Sequence, residues 1–180
     1  MSITCLLPAA GASSRMRGGD KLLEDVGGKP CLVAMAERAL AAGLDVIVTL
    51  PSTDHPRAIA LGDLPLCKIT VPDAALGMSA SLKAGARAIK TDANGMMILP
   101  PDMPNITSTD MKAMAERFAE ISPTLLRARA PSGKQGHPII FAKKLLSEFA
   151  DLKGDTGAQP IVRKYKSEIA FLDFNDESPL

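Results

Sequence analysis

The sequence predicts an α/β sandwich whose sheet is mainly parallel. Short apolar segments recur along the chain, segments with helical periodicity separate them, and Gly or Pro stands at many of the junctions. Strands and helices that alternate in this way form parallel sheets covered by helices. The 180 residues contain no internal repeat and no linker-like tract, so we predict a single domain over residues 1–180.

Seven segments have the composition of strands. Ile3–Leu7 is short, mostly apolar and bounded by Pro8, which predicts a buried strand. Thr124–Ala130 alternates between apolar and polar residues, a pattern that also suits an edge strand. The other predicted strands are Asp45–Leu50, Cys67–Val71, Met96–Leu99, Pro138–Ala142 and Ile169–Phe174.

Helices are predicted between these strands. Pro30 suits the first position of one helix, Gly43 ends that helix, and Ser79 stands where an N-cap is expected for another. The longer predicted helices are Pro30–Ala42, Ser79 to about Lys90, and Thr107 or Ser108 to about Glu120. Shorter helices are predicted at Pro56–Leu61, Lys143–Phe149 and Gln159–Tyr165.

Composition excludes several classes of protein. Lys and Arg total 21 against 20 for Asp and Glu, and aromatic residues make up 3%, which argues against a nucleic-acid partner. Cys5, Cys31 and Cys67 form no C-x-x-C pair, so we expect buried thiols rather than a zinc site or disulfides. No apolar run approaches the roughly 18 residues of a membrane helix. We therefore expect a cytoplasmic protein with no membrane partner.

The segment between Pro8 and Lys21 has the composition of a phosphate-binding loop. Small residues after a strand allow backbone N–H groups to approach a ligand closely, and Arg15 and Lys21 add positive charge. The small residues that would bind the nucleotide are Ala9, Ala10, Gly11 and Ala12. The segment contains neither the dinucleotide-binding fingerprint nor a Walker A motif. The alternative is a flexible surface loop with two solvated cations.

An aspartate follows another predicted strand. Asp102 stands in Pro100-Pro-Asp-Met-Pro104, where the prolines restrict the backbone on both sides. A single carboxylate beside a phosphate loop suits Mg²⁺, which takes few protein carboxylates and completes its coordination with substrate oxygens. The alternative for Asp102 is a turn or N-cap residue.

Four more residues are candidates for ligand contacts. Ser79 and Ser81 lie near a predicted helix N-terminus, where hydroxyl and N–H groups can hold a ribose, a base edge or an anion. His137 precedes a strand and can donate to an anionic substrate. Asp155 stands in a glycine-containing turn before a helix. The alternatives are a capping role for the serines and Asp155, and a simple turn for His137.

Five motifs together resemble one protein family. They are, in chain order, Pro8-Ala-Ala-Gly-x-Ser-x-Arg-Met followed by Lys21, Gly77-Met-Ser-Ala-Ser-Leu82, Asp102-Met-Pro104, Gly136-His-Pro-Ile-Ile-Phe141 and Gly154-Asp-x-Gly-Ala158. The first is similar to the signature loop of nucleotidyltransferases that make sugar nucleotides. The whole set resembles the molybdenum cofactor cytidylyltransferases, and the resemblance extends from about Ile3 to Asp176.

This resemblance implies a fold and a reaction. The fold is a Rossmann-like three-layer α/β sandwich of the glycosyltransferase-A type. The reaction moves a CMP unit from CTP to the terminal phosphate of molybdenum-loaded molybdopterin and releases pyrophosphate, with Mg²⁺ as cofactor. Guanylyl-transferring relatives carry Gly-Gly where this chain has Ala9-Ala10-Gly11, which favours cytidine. Other acceptors, namely a sugar or polyol phosphate, and a non-catalytic role in delivering the cofactor to a molybdoenzyme apoprotein remain alternatives.

The resemblance also implies roles for the candidate residues. Arg15 and Lys21 would hold the β- and γ-phosphates together with the loop N–H groups, and Asp102 would bind Mg²⁺. Ser79 and Ser81 would contact the base or ribose, whereas His137 and Asp155 would face the acceptor. The family often has an Asp-x-Asp-Thr-Pro-Glu-Asp stretch near its C-terminus, where this chain has Asp173-Phe-Asn-Asp-Glu-Ser-Pro179. Asp173 is therefore the expected second metal ligand.

Overall fold

The computed structural model of the chain describes residues 2–11, 19–73 and 77–180. Within these residues, seven strands form one sheet in the order β3-β2-β1-β4-β6-β5-β7. The strands are β1 Ile3–Pro8, β2 Asp45–Leu50, β3 Cys67–Thr70, β4 Gly95–Ile98, β5 Leu125–Arg129, β6 Gln135–Ala142 and β7 Ile169–Asp173.

Helices connect these strands. The α-helices are α1 Cys31–Ala41, α2 Pro56–Ala60, α3 Met78–Arg87, α4 Ser108–Ile121 and α5 Gln159–Lys164. In the part of the chain that the structure describes, 3-10 helices lie at Lys21–Leu23, Lys143–Asp151 and Lys166–Glu168. Among the described helices, none has the length and apolar character that crossing a membrane requires.

The direction of the strands places their connecting loops at a common edge. β1 to β4 run parallel, β6 is antiparallel to β4 and to β5, and β7 is parallel to β5. The carboxyl ends of six strands therefore meet the amino end of β6 at one edge of the sheet. The prediction of an α/β fold with a mainly parallel sheet is confirmed.

Apolar residues fill the space on both faces of the sheet. Leu6 and Leu7 are adjacent in β1, yet both are fully buried, Leu6 with Leu82 of α3 and Leu7 with Met35 of α1. A strand covered on both faces reads as a continuous apolar run, which explains why β1 was recognisable from its sequence. Phe141 and Phe149 meet edge to face, with ring centroids 5.1 Å apart, in the layer that contains α3.

Two expectations about the sheet are wrong. β5 is not an edge strand, because β6 pairs with one side of it and β7 with the other. Its polar positions are Arg127, which donates to the Gly136 carbonyl, and Arg129, which binds Asp173. The second correction concerns Cys67, which is exposed on the edge strand β3, whereas Cys5 and Cys31 are buried as expected.

Helix α4 begins with a capping box, as its sequence predicts. Thr107 is the N-cap: its hydroxyl accepts a hydrogen bond from the Asp110 N–H at 3.2 Å, and the Asp110 carboxylate accepts from the Thr107 N–H at 2.8 Å. These bonds satisfy two donors that a helix N-terminus otherwise leaves without helical partners.

Replacing Thr107 tests the contribution of this cap. Thr107→Ala removes the hydroxyl acceptor, so we expect a loss of about 1 kcal/mol in the free energy of unfolding. Urea unfolding followed by circular dichroism measures the change. Ser108→Ala is the matched control, since Ser108 is helical and has no part in the box. Equal effects of the two substitutions would contradict a capping role for Thr107.

Candidate active site

The loop after β1 is fixed to the neighbouring strand. Ala9 donates its N–H to the Thr49 carbonyl at 3.0 Å, and both Ala9 and Ala10 are buried. Gly11 is exposed, and a Cβ placed on it would have no neighbour within 4 Å among the described residues. Two of the predicted phosphate-binding residues, Ala12 and Arg15, lie outside the described residues.

Arg57 of α2, which the sequence did not single out, joins the two sides of this loop. Its side chain is 3% exposed. The guanidinium donates to the carbonyls of Ala9 at 2.6 Å and Gly11 at 2.8 Å. It also donates to both carboxylate oxygens of Asp20, at 2.6 and 3.0 Å. One buried cation therefore binds the chain before and after residues 12–18.

The contact with Arg57 changes the pKa of the Asp20 carboxyl. Burial of Asp20 acts to raise the pKa of its carboxyl, but hydrogen bonds from Arg57 and from the Leu22 N–H, with the charge of Arg57, outweigh burial and lower that pKa. The same carboxylate caps the 3-10 helix Lys21–Leu23. Lys21, a predicted phosphate ligand, is exposed at the start of this short helix and next to Asp20. Its position is thus tied to the Arg57 contact.

The Asp102 loop is held by α1. The Cys31 thiol donates to the Pro101 carbonyl at 3.1 Å, and the Arg38 guanidinium donates to the carbonyls of Pro104 and Ile106. Burial, followed by the nearby charge of Asp102, raises the pKa of the Cys31 thiol. Asp102 itself is exposed at the carboxyl edge, four residues after the end of β4. The loop backbone is fixed while the carboxylate faces solvent.

The donor set around Asp102 suits a metal ion that is shared with a substrate. Within residues 2–11, 19–73 and 77–180, no group of three or more His, Cys, Asp or Glu side chains is arranged to hold a metal. Asp173, the expected second ligand, forms a two-point ion pair with Arg129 at 2.5 and 3.0 Å. It ends β7, three strand spacings or about 14 Å from β4. The structure does not bring Asp173 to Asp102.

Helix α3 and the turn at residues 154–157 lie at the same edge of the sheet, opposite the loops that follow β1 and β4. The N-cap of α3 is Gly77, not Ser79 as predicted. Gly77 has a φ of +99°, and a Cβ there would lie 2.7 Å from the Gly154 carbonyl oxygen, so both backbone conformation and space favour glycine. Asp155 accepts a hydrogen bond from the Met78 N–H at 3.0 Å and so serves the helix end from a distant part of the chain.

The two serines of α3 are buried. Ser79 donates its hydroxyl to the Gly154 carbonyl at 2.6 Å, which joins α3 to the 154–157 turn. Ser79 and Ser81 are 3% and 2% exposed. The Ser79 hydroxyl thus has a structural partner in this conformation. A contact of either serine with a base or ribose stays a prediction.

A cavity of about 310 Å³ lies between the ends of β1 and β4 on one side and α3 with the turn at residues 154–157 on the other. It brings together His137 and Asp155, the two predicted acceptor-binding residues, although they are far apart in sequence. Two prolines that line the cavity connect it to the loops described above. Pro8 ends β1 and leads into the predicted phosphate loop, and Pro100 follows β4 and leads into the Asp102 loop. Its apolar lining residues include Met78, Leu82, Ile98, Ile139, Phe141 and Val162.

His137 is a neutral group in this cavity. Burial, and then the charge of Arg127, lower the pKa of its imidazole to about 4, although the charge of Asp102 acts in the opposite direction. At neutral pH the imidazole therefore carries one N–H donor and one acceptor and no charge. It can orient a polar group of a ligand without adding a cation to the cavity.

The sheet and the loops at its carboxyl edge define the class: this is an α/β nucleotidyltransferase fold of the glycosyltransferase-A type. The description "MobA-like NTP transferase domain" matches residues 5–169, nearly the whole chain. The chain belongs to this family, and nucleotidyl transfer is the activity of the family.

Relatives and solved structures agree on the fold. Rv0371c from Mycobacterium tuberculosis H37Rv is 24% identical with a TM-score of 0.82, over 96% of this chain and 88% of that one. Its homolog from Mycobacterium sp. strain JC1 is 25% identical with a TM-score of 0.86, over 99% and 88%. A CMP:2-keto-3-deoxy-manno-octonic acid synthetase complexed with CTP is 17% identical with a TM-score of 0.74, over 97% and 90%.

Two curated relatives differ in what they do. Nicotine blue oxidoreductase from Paenarthrobacter nicotinovorans is 28% identical over 98% of this chain and 89% of its own length. A 3-deoxy-manno-octulosonate cytidylyltransferase from Yersinia pestis is 44% identical over 59 residues, which is 33% of this chain and 22% of the relative. The similarity to the oxidoreductase extends over nearly the whole chain, whereas the similarity to the cytidylyltransferase is limited to about a third of it.

Removing the Arg57 guanidinium tests its role as an anchor. Arg57→Leu leaves two carbonyls and Asp20 without their donor, so we expect a loss of about 3 kcal/mol at pH 7. The folded pKa of Asp20 lies below the ordinary value of 3.8, so the part of this stabilisation that comes from Asp20 is present above pH 3.8 and is lost as the pH falls through the lowered pKa, whereas the carbonyl contacts do not titrate. Urea unfolding at pH 7 and pH 3.5 measures both effects. Arg87→Leu, at an exposed arginine, is the control, and a pH-independent difference would contradict the Asp20 contact.

The neutral state of His137 predicts a pH dependence of stability. Its folded pKa of about 4 lies below the ordinary 6.5, so the unfolded chain binds a proton between these values and stability falls as the pH drops from 6.5 toward 4. We expect wild type to lose about 1–2 kcal/mol more than His137→Gln between pH 7 and pH 5. Unfolding curves at both pH values measure this, with His55→Asn as the control. Parallel losses in wild type and His137→Gln would refute the neutral state.

Proposed function

We propose that residues 1–180, as a single domain, transfer a CMP unit from CTP to the terminal phosphate of molybdenum-loaded molybdopterin and release pyrophosphate. The observation that carries the proposal is the arrangement at one sheet edge: the anchored loop after β1, the exposed Asp102 carboxylate, and the cavity with His137 and Asp155. The product would serve the maturation of a molybdoenzyme apoprotein.

In the proposed reaction, one bond forms and one breaks. An oxygen of the acceptor phosphate attacks the α-phosphorus of CTP, and the bond from that phosphorus to the bridging oxygen breaks, so pyrophosphate leaves. An ionised phosphate needs no general base. The chain contributes positioning and charge neutralisation, which account for most of the catalysis in phosphoryl transfer.

Each part of the edge has a role in this reaction. The backbone N–H groups of Gly11 and Ala12, with Arg15 and Lys21, bind the β- and γ-phosphates. His137 and Asp155 orient the acceptor in the cavity.

Asp102 fits a role as ligand to Mg²⁺. Its carboxylate is exposed, and in the described part of the chain no ion pair engages it. One protein carboxylate is a common contribution to a Mg²⁺ ion that is completed by phosphates and water. The ion would neutralise charge on the triphosphate. Rv0371c has been solved in complex with manganese, which supports a divalent cation in this fold.

A second candidate keeps CTP and changes the acceptor. The local similarity to a 3-deoxy-manno-octulosonate cytidylyltransferase and the structural similarity to a synthetase bound to CTP favour cytidylyl transfer to a sugar-type acceptor. The full-length similarity to nicotine blue oxidoreductase gives a third possibility to exclude by experiment. A non-catalytic role in delivering the cofactor is the fourth.

Pyrophosphate release distinguishes the two acceptor classes from each other and from a delivery role. The protein is incubated with Mg²⁺ and CTP, GTP or ATP, in the presence of molybdenum-loaded molybdopterin, a sugar phosphate or 3-deoxy-manno-octulosonate. We expect release with CTP and the molybdopterin acceptor alone. Release only with a sugar-type acceptor would overturn the proposal in favour of the second candidate. CTP binding without release with any acceptor would support a delivery role.

Replacing Asp102 separates metal binding from folding. Asp102→Asn keeps the shape of the side chain but removes its charge, so we expect kcat to fall by at least about a hundredfold while the unfolding curve is unchanged. The decrease should be partly relieved at higher Mg²⁺ concentration. Asp63→Asn, at another exposed loop, is the matched control. Full activity of Asp102→Asn would remove Asp102 from the site.

A further inference from the structure

Residues 174–180 pack against the hairpin formed by β5 and β6. Phe174 donates its N–H to the Arg129 carbonyl at 2.9 Å, where this segment leaves β7. At the hairpin turn, the Glu177 carboxylate accepts from the Ser132 N–H at 3.1 Å and from the Ser132 hydroxyl at 2.8 Å. Two residues of this short segment thus bind the turn end of the hairpin.

The segment also contacts the residues that carry His137 into the cavity. The Pro179 carbonyl accepts from the His137 N–H at 2.9 Å, and Pro179 is buried. A Cβ placed on Gly136 would lie 1.8 Å from the Pro179 oxygen and 2.5 Å from its carbonyl carbon. No side chain larger than that of glycine fits here without moving the segment away.

The backbone at Gly136 is held from a second direction. Arg127 of β5 donates its Nε–H to the Gly136 carbonyl at 3.0 Å. The peptide unit before His137 therefore lies between a guanidinium on one strand and a carbonyl of the 174–180 segment. These contacts fix the position from which the imidazole enters the cavity. None of residues 174–180 lines that cavity, so the segment would act on a ligand there through the residues that it holds, of which His137 is the one in direct contact with Pro179.

We propose that the 174–180 segment, through Pro179 and Glu177, positions His137 and thereby sets the affinity for the acceptor without affecting the nucleotide. Gly136 is the residue that makes this contact sterically possible. The proposal rests on the proposed function in one respect, namely that His137 faces the acceptor. It assigns a role in acceptor selection to residues that touch neither substrate.

Two variants weaken the contact in different ways. Gly136→Ala forces Pro179 away from the hairpin, and Glu177→Gln weakens the charged acceptor of the two Ser132 bonds. We expect the acceptor KM to rise on the order of tenfold in Gly136→Ala and less in Glu177→Gln, with the KM for CTP within about twofold of wild type. Glu116→Gln, at an exposed glutamate of α4, is the matched control and should change neither value.

The double variant shows whether both residues act through one contact. Residues that share a contact have non-additive effects. Gly136→Ala combined with Glu177→Gln should therefore raise the acceptor KM little beyond Gly136→Ala alone. If the rise in acceptor KM of the double variant equals the product of the two single rises, the assignment of both residues to one positioning element is overturned.

Side-chain NMR tests the positioning without any turnover. The chain has two histidines, so His55 provides an internal reference. In Gly136→Ala, the His137 ring resonance should shift and its amide should exchange faster, with His55 unchanged. Unmoved His137 signals would overturn the proposal even if no acceptor were turned over. Shifted signals with unchanged KM values for both substrates would show that the segment has only a structural role, and would overturn the proposal. A wild-type protein that transfers to none of the tested acceptors would instead refute the proposed function.

Discussion

The candidate site depends on the buried guanidinium of Arg57. Two carbonyls of the loop after β1 and the carboxylate of Asp20 all converge on this one side chain. Arginine keeps its charge under all physiological conditions and presents several donors in a fixed plane, so a single residue can bind acceptors on both sides of a loop. α2 has only five residues and little stability of its own. It belongs to the site because its arginine binds the loop.

The Asp102 loop is held by a similar arrangement. In both loops a helical side chain donates to backbone carbonyls: Arg57 to Ala9 and Gly11, Arg38 to Pro104 and Ile106. Anchoring a loop through its carbonyls leaves side chains such as the Asp102 carboxylate available for a ligand, although the Ala9 N–H is itself bonded to Thr49. Sites supported in this way by a second layer of contacts keep their geometry when substrate arrives.

The sequence was informative where a property is local. β1 is apolar on both faces and the cap of α4 is encoded within four residues, so both were predictable. The residues that converge at the sheet edge also follow from strand direction. Arg57 was not predictable, because its partners are 37 to 48 residues away and nothing in its own helix marks it. The N-cap of α3 was missed for the same reason, since the need for glycine there comes from Gly154.

The contact between Asp155 and the first N–H of α3 has a consequence for how charge is distributed across the edge. A helix N-terminus usually attracts anions, but at α3 a carboxylate of the chain already occupies that position. Because the imidazole of His137 in the same cavity is neutral at pH 7, a ligand meets an already capped helix end and an uncharged side chain here. In the proposed function, the dipole of α3 would therefore contribute little to holding the anionic acceptor, and His137 would orient that acceptor through an uncharged hydrogen bond.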